Sequence, residues 1–437
     1  MLRCQEMPEW RVEERDSEGA TTQARLADRR LALQTRGEHV VGVEDVGRLI
    51  DQFVGQPHVG LAYDPFRVLD ASQDPRLPDY LVDQGAFREL WTLQHTILFA
   101  EPGAGKSAHR VRLARACRIQ FDGRRFFGIV FLAPDPADVG LPPDFDRFVE
   151  HLLKAAAGEL LLALTYRPYV FLEQPAEVQQ TIRDLFDRDL PAALDYLLEP
   201  VGQTGDLTSL IEFFDPNAAS LPTLPGAGAV RDFCRALREL RRAGDPLPLP
   251  RQRWQQLVDL LLGPLAYEAL FILLDGVDGY PGALEDPAIG LALAAPLLER
   301  DDLWADAAVF VKAFLPVSYR PELERRSPVL LTTPHRFATI SWSEDLLIEV
   351  LQERVLAASA GRFSSLDAIA TPGLRDTEKQ IVQRLRCPLP RAAVQMAERL
   401  LTEHVRRMGA VGRLEAEDLD RALAALGNGN QQAHVAS

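Results

Sequence analysis

Residues 100–107 read Ala100-Glu101-Pro102-Gly103-Ala104-Gly105-Lys106-Ser107. Apart from Ala100, which stands where the first glycine is expected, they fit the phosphate-loop pattern GxxxxGK[ST]. Glycines let the backbone turn so that successive N–H groups point at phosphates, and a following helix adds its positive N-terminal end. The Pro102-to-Ala108 stretch (Pro102, Gly103, Ala104, Gly105, Lys106, Ser107 and Ala108) would then line a nucleoside triphosphate, with MgATP the expected ligand. Lys106 would reach the β- and γ-phosphates, and Ser107 would ligate Mg²⁺. The chain has only four lysines (Lys106, Lys154, Lys312 and Lys379) among 48 basic residues, so a lysine at this position is less easily a coincidence.

A second candidate lies far downstream. Phe271 to Leu274 is an apolar run ending in Asp275, the form of a strand whose terminal carboxylate binds Mg²⁺. Gly276 follows, where many ATPases carry a catalytic Glu. Asp278 is the nearest carboxylate that could orient water as general base, or it could cap the turn. Slow hydrolysis is therefore expected. No [NT]KxD segment is present to read guanine. A small-molecule kinase is disfavoured by the separate strand that carries Asp275.

These residues need elements to hold them. The sequence predicts strands at 95–100, 126–132, 270–274, 308–315 and 337–340. A helix is predicted over 106–120, and helical runs fill 137–262 with breaks at Pro200-Val201-Gly202, 221–228 and 244–250. Another helical segment covers Leu77 to Leu90, and a short amphipathic helix is predicted over Val43–Val54. From Ser343 onward the pattern is helical. The expected domains are a charged N-terminal tail with a short helix (1–58), an α/β core (59–136 and 263–342), a helical insertion (137–262), a helical lid (343–426) and a disordered tail (427–437).

Composition narrows the function classes. The 437 residues are 47% hydrophobic, enough for a large core, and carry a net charge of −15. That balance counts against coating nucleic acid or anionic membranes through bulk charge. The four cysteines are scattered, without CxxC spacing, and the eight histidines form no HExxH pair. No apolar run has the length of a membrane span, and residues 1–16 lack the apolar stretch of a signal peptide. A cytoplasmic protein is expected.

With the Pro-Gly-Ala-Gly-Lys-Ser loop and the Leu-Leu-Asp-Gly-Val-Asp strand end in hand, the chain resembles the AAA+ and STAND branch of P-loop ATPases, with NACHT-like Walker A and Walker B motifs. The segment from Ile340 to Leu346, Pro390-Arg391 and the 414–419 run are similar to an Orc/Cdc6-type lid. The resemblance implies a three-layer P-loop NTPase core with a parallel sheet of order 5-1-4-3-2, a large helical insertion and an all-α C-terminal lid. It implies that Arg391 senses the γ-phosphate and that Lys312 or Ser318 serves as sensor 1, although a lysine snorkelling out of its strand is the simpler reading of Lys312. Arg325 or Arg326 could be an arginine finger or surface charge. Tyr63 and Phe66, in the turn before the core, could hold adenine or simply pack. The function implied is a switch ATPase acting with a separate protein partner, or assembling with its own copies, in a bacterial defence setting by analogy alone. The alternatives are a DNA-linked AAA+ ATPase and a nucleotide-binding scaffold without turnover.

Overall fold

In the computed structural model the described residues are 60–214, 224–241, 248–299, 303–304, 308–326, 335–409 and 412–433. The tail and the helix expected within 1–58 lie outside them. The strands are β1 (His95–Ala100), β2 (Phe126–Leu132), β3 (Ala269–Asp275), β4 (Val309–Pro316) and β5 (His335–Thr339). The helices up to the third strand are α1 (Leu77–Tyr80), α2 (Ala86–Leu90), α3 (Lys106–Ile119), α4 (Pro136–Val139), α5 (Phe145–Tyr166), α6 (Pro168–Leu172), α7 (Ala176–Asp189), α8 (Leu194–Thr204), α9 (Thr208–Phe214), α10 (Ala227–Glu239) and α11 (Pro250–Leu262). After it come α12 (Pro287–Leu298), α13 (Arg320–Arg326), α14 (Glu344–Ala358), α15 (Thr377–Gln383), α16 (Pro390–Met408) and α17 (Ala416–Ala433).

All strand pairs are parallel. The order is β2-β3-β4-β1-β5, which from the opposite edge reads 5-1-4-3-2. Every residue of β3 is buried, as expected of a central parallel strand covered on both faces. Alternation along the strands sorts the two faces. Leu98, Phe271, Leu273 and Phe314 pack with Leu113 and Cys117 of α3 on one side. Ile97, Phe99, Ile272 and Leu274 pack on the other with α5 and α12. In α5, Leu152, Leu153, Leu160 and Leu161 are each at most 1% exposed, and burying each such side chain contributes about 2 kcal/mol.

The chain forms two units. The sheet, the helical segment 137–262 and residues 379–399 belong to one of them, which spans 66–351 and 379–399. The described residues of the other are 60–65, 352–378, 400–409 and 412–433. Its described core includes Leu366, Ile369, Leu400, Leu414 and Leu419, all buried. There Asp418 accepts from Arg407 Nε at 2.7 Å and from the Glu415 N–H at 2.9 Å, and it lies 3.0 Å from His404 Nδ1.

Four local expectations need correction. The helix expected over 77–90 is two short helices, because Gly85 turns to φ +82° and restarts the chain at α2. Pro200 does not break its helix. It lies inside α8, which ends instead at Gly205 in a left-handed cap. The tail does not begin at Gly427, for α17 continues to Ala433. No proline interrupts it, and each residue added to a formed helix gains a backbone bond. Lys312 does not snorkel. It is fully buried on β4, which β3 and β1 flank, so no route to water lies within reach of its side chain.

Candidate functional site

Because every strand runs the same way, the carboxyl ends of β1, β3 and β4 share one edge, where open α/β sheets place their ligands. The connection from β1 to α3 turns through Gly103 at φ +87° and Gly105 at φ +94°. Only glycine takes up such angles without strain. The loop is tied at three points. The Ala104 N–H donates to Glu101 O at 3.0 Å. Trp342 Nε1, just after β5, donates to Ala104 O at 3.0 Å. The Arg391 N–H, at the start of α16, donates to Gly103 O at 3.2 Å. Two carbonyls are thus fixed from outside, and α3 begins at Lys106 with its first backbone donors lacking helical partners.

β4 stands between β1 and β3, so about 10 Å separates the strand that feeds the loop from the strand that ends in Asp275. Two long cationic side chains of α3 cross that gap. Lys106 Nζ lies 3.0 Å from Asp278 Oδ2, with the lysine 7% and the aspartate 19% exposed. Arg110 Nε lies 3.0 Å from Asp275 Oδ2, with both side chains 5% exposed. Arg110 also donates to Ser72 Oγ at 2.7 Å. The other Asp275 oxygen accepts from the Gly276 N–H at 2.8 Å, and Gly276 turns the chain at φ +82°. Tyr319 donates its hydroxyl to Ala283 O at 2.7 Å, and burial with Asp278 and Asp286 nearby raises its pKa, keeping it a neutral phenol. His109 is 2% exposed on α3. Burial, with Arg112 nearby, lowers its pKa to about 4, so it is neutral at physiological pH.

The structure therefore brings Gly103, Ala104, Gly105, Lys106, Asp275, Asp278 and Arg391 to one edge of the sheet. Ser107 and Ala108 are half-buried in the first turn of α3, and Pro102 is exposed at the loop's start. Ala100, at the expected first-glycine position, is the last residue of β1 and pairs in register with Pro316 of β4. Ser318 is exposed just beyond the carboxyl end of β4. Lys312 is elsewhere: its Nζ donates to Thr92 O and Gln94 O, each at 2.7 Å, and to Thr96 Oγ1 at 3.2 Å. Those partners precede or begin β1, so Lys312 faces away from the loop and does not fit a sensor role. Arg325 and Arg326 both pair with Glu322 on their own helix. Phe66 is fully buried and offers no ring face, while Tyr63 is half-buried in the other unit.

Arg110, Ser72 and Trp342 were not singled out by the sequence pattern. A signal existed for Arg110: with Lys106 and His109 it interrupts the apolar face of a helix lying on the sheet. The arrangement offers an anion cradle with a lysine, a serine hydroxyl and two carboxylates around it. Among the described residues no three His, Cys, Asp or Glu side chains converge on a point that could hold a metal ion. No described helix is long and apolar enough to cross a membrane. No protein-family model matches the chain, and no curated protein matches it.

Proposed function

We propose that this chain is an ATP-binding switch of the P-loop type, with MgATP seated on Gly103–Ser107. The observation that carries the reading is the loop itself: two glycines at positive φ between a buried parallel strand and a helix N-terminus, with Lys106 held at its mouth. Such a turn presents backbone N–H groups and a helix end to an anion. Lys106 would exchange Asp278 for the β- and γ-phosphates. Ser107 and Asp275 are the oxygen groups fitted to hold Mg²⁺, and Asp275 keeps a lone pair on each oxygen beyond those used by Arg110 and Gly276. The cation would supply charge compensation to the phosphates. Once released from Lys106, Asp278 would be free to orient the attacking water. Arg391, whose backbone already touches Gly103, would pass the loop's occupancy to the start of α16. The two nucleotide states would then differ in affinity for a protein partner or a further copy of the chain.

A second reading, a nucleotide-binding scaffold without turnover, is favoured by the Lys106–Asp278 pair, which occupies the carboxylate needed for water activation. The test is binding of a fluorescent ATP analogue and release of phosphate by purified wild type and Lys106→Ala. Binding lost in Lys106→Ala supports the site. Phosphate release by wild type that Asp278→Asn abolishes separates the ATPase from the scaffold. A folded wild type that binds no analogue at millimolar concentration sinks the proposal.

A further inference from the structure

Arginine is almost never fully buried unless it is paired. Arg110 is 4% exposed, one turn along α3 from Ser107, so the two share a helix face. Its guanidinium is held at both ends, by Asp275 Oδ2 at 3.0 Å and by Ser72 Oγ at 2.7 Å. This is more fixation than a surface ion pair receives. Asp275 in turn has one donor on each oxygen, Arg110 on Oδ2 and the Gly276 N–H at 2.8 Å on Oδ1. The carboxylate is therefore both oriented and electrically offset by a residue 165 positions away in sequence.

We propose that Arg110 is the positioning residue of the cation site, a resident counter-charge on Asp275 that makes a divalent cation bind there only in company with the nucleotide's phosphates. The inference rests on the nucleotide reading above. With Arg110 in place, the local charge of the pair is near zero, and a lone cation gains little by approaching. A triphosphate brings its own negative charge to the loop, and the balance then favours the cation. Without Arg110, the buried carboxylate is left uncompensated and attracts a cation unaided.

The experiment uses the full chain and two probes, MgCl₂ alone and the fluorescent ATP analogue. Thermal melting is followed with MgCl₂ and no nucleotide, and analogue binding is titrated with Mg²⁺ from an EDTA baseline. For wild type the melting temperature is unmoved by Mg²⁺ alone. For Arg110→Gln it rises with Mg²⁺, and half-saturating Mg²⁺ in the presence of analogue falls by about tenfold. Ser72→Ala, which keeps the guanidinium but loosens it, moves the Mg²⁺ midpoint the same way by a smaller factor, and it serves alone if Arg110→Gln does not fold. A merely structural Arg110 would lower the melting temperature and leave the Mg²⁺ midpoint where it was. An unchanged or raised midpoint with analogue binding intact overturns the role of Arg110 alone. Failure of folded wild type to bind the analogue overturns the nucleotide reading and this inference together.

Discussion

Lys106 Nζ and Asp278 Oδ2 lie 3.0 Å apart, and the two residues are 172 positions apart in sequence. In the proposed switch, the residue that would meet phosphate is thus held by the residue that would activate water. On that proposal, each would keep the other from its task until a phosphate takes the lysine.

Asp278→Asn follows directly. It removes the charge that competes for Lys106, so analogue affinity is expected to be equal to wild type or higher. Turnover is expected to fall by about 100-fold, as for loss of a general base. Weaker binding in Asp278→Asn would mean that the aspartate holds the loop in shape rather than occupying its lysine.

Gly103→Ala tests the cradle. A left-handed alanine costs about 1–2 kcal/mol. The new Cβ would also meet Arg391 Cβ at 3.1 Å. Lower melting temperature and lost analogue binding are expected. The double variant Gly103→Ala/Arg391→Gly relieves the contact but not the dihedral angle, so it should recover only part of the stability. Full recovery would show that crowding, not backbone conformation, makes glycine necessary there.

His109 predicts acid sensitivity. Burial lowers its pKa from 6.5 to about 4 in the folded chain, with Arg112 pushing the same way and Asp83 opposing. The unfolded chain therefore takes up a proton first. The stability tied to His109 is complete above pH 6.5 and is lost as pH falls toward 4, a total of about 3 kcal/mol. Urea denaturation between pH 4 and 7 should show a steeper slope for wild type than for His109→Phe. Equal slopes would show that His109 titrates normally.

Lys312 makes the opposite range informative. Burial lowers its pKa from 10.5 to about 7, even though three oxygens surround its Nζ. The unfolded lysine remains charged across that window while the folded one loses its proton, so wild-type stability should rise from pH 7 toward 10.5. Lys312→Met should remove that rise. If the slope persists in the methionine variant, other groups set the alkaline behaviour.

Much of the frame could be read from the sequence because its signals are local. Phe126 to Leu132 and Ala269 to Leu274 are continuous apolar runs, and their length and their company of helices suit parallel strands. The glycine loop is equally local: its positive-φ positions are the glycines themselves. What escaped reading depends on residues far apart in the chain. Nothing near Arg110 in sequence announces Asp275, nor does anything near Ala104 announce Trp342. Pro200 and Lys312 misled for a related reason. The behaviour of Lys312 is decided by the strands on either side, and Pro200 is carried, itself exposed, in a helix anchored by buried Leu197, Leu198 and Val201, so the preference of the single residue decides neither.

The indole hydrogen bond from Trp342 to Ala104 has a practical side. Trp254 and Trp304 spend their own N–H groups on Leu303 O and Leu297 O, remote from the loop, and Trp91 stacks on Phe87 and meets Phe121, Phe126 and Phe271 edge-on or tilted. Trp342 alone among the described tryptophans bonds to the glycine turn, so its emission colour and quenching should respond when that turn is filled or strained. The protein carries its own optical gauge, which could time the arrival and departure of a ligand without any attached dye.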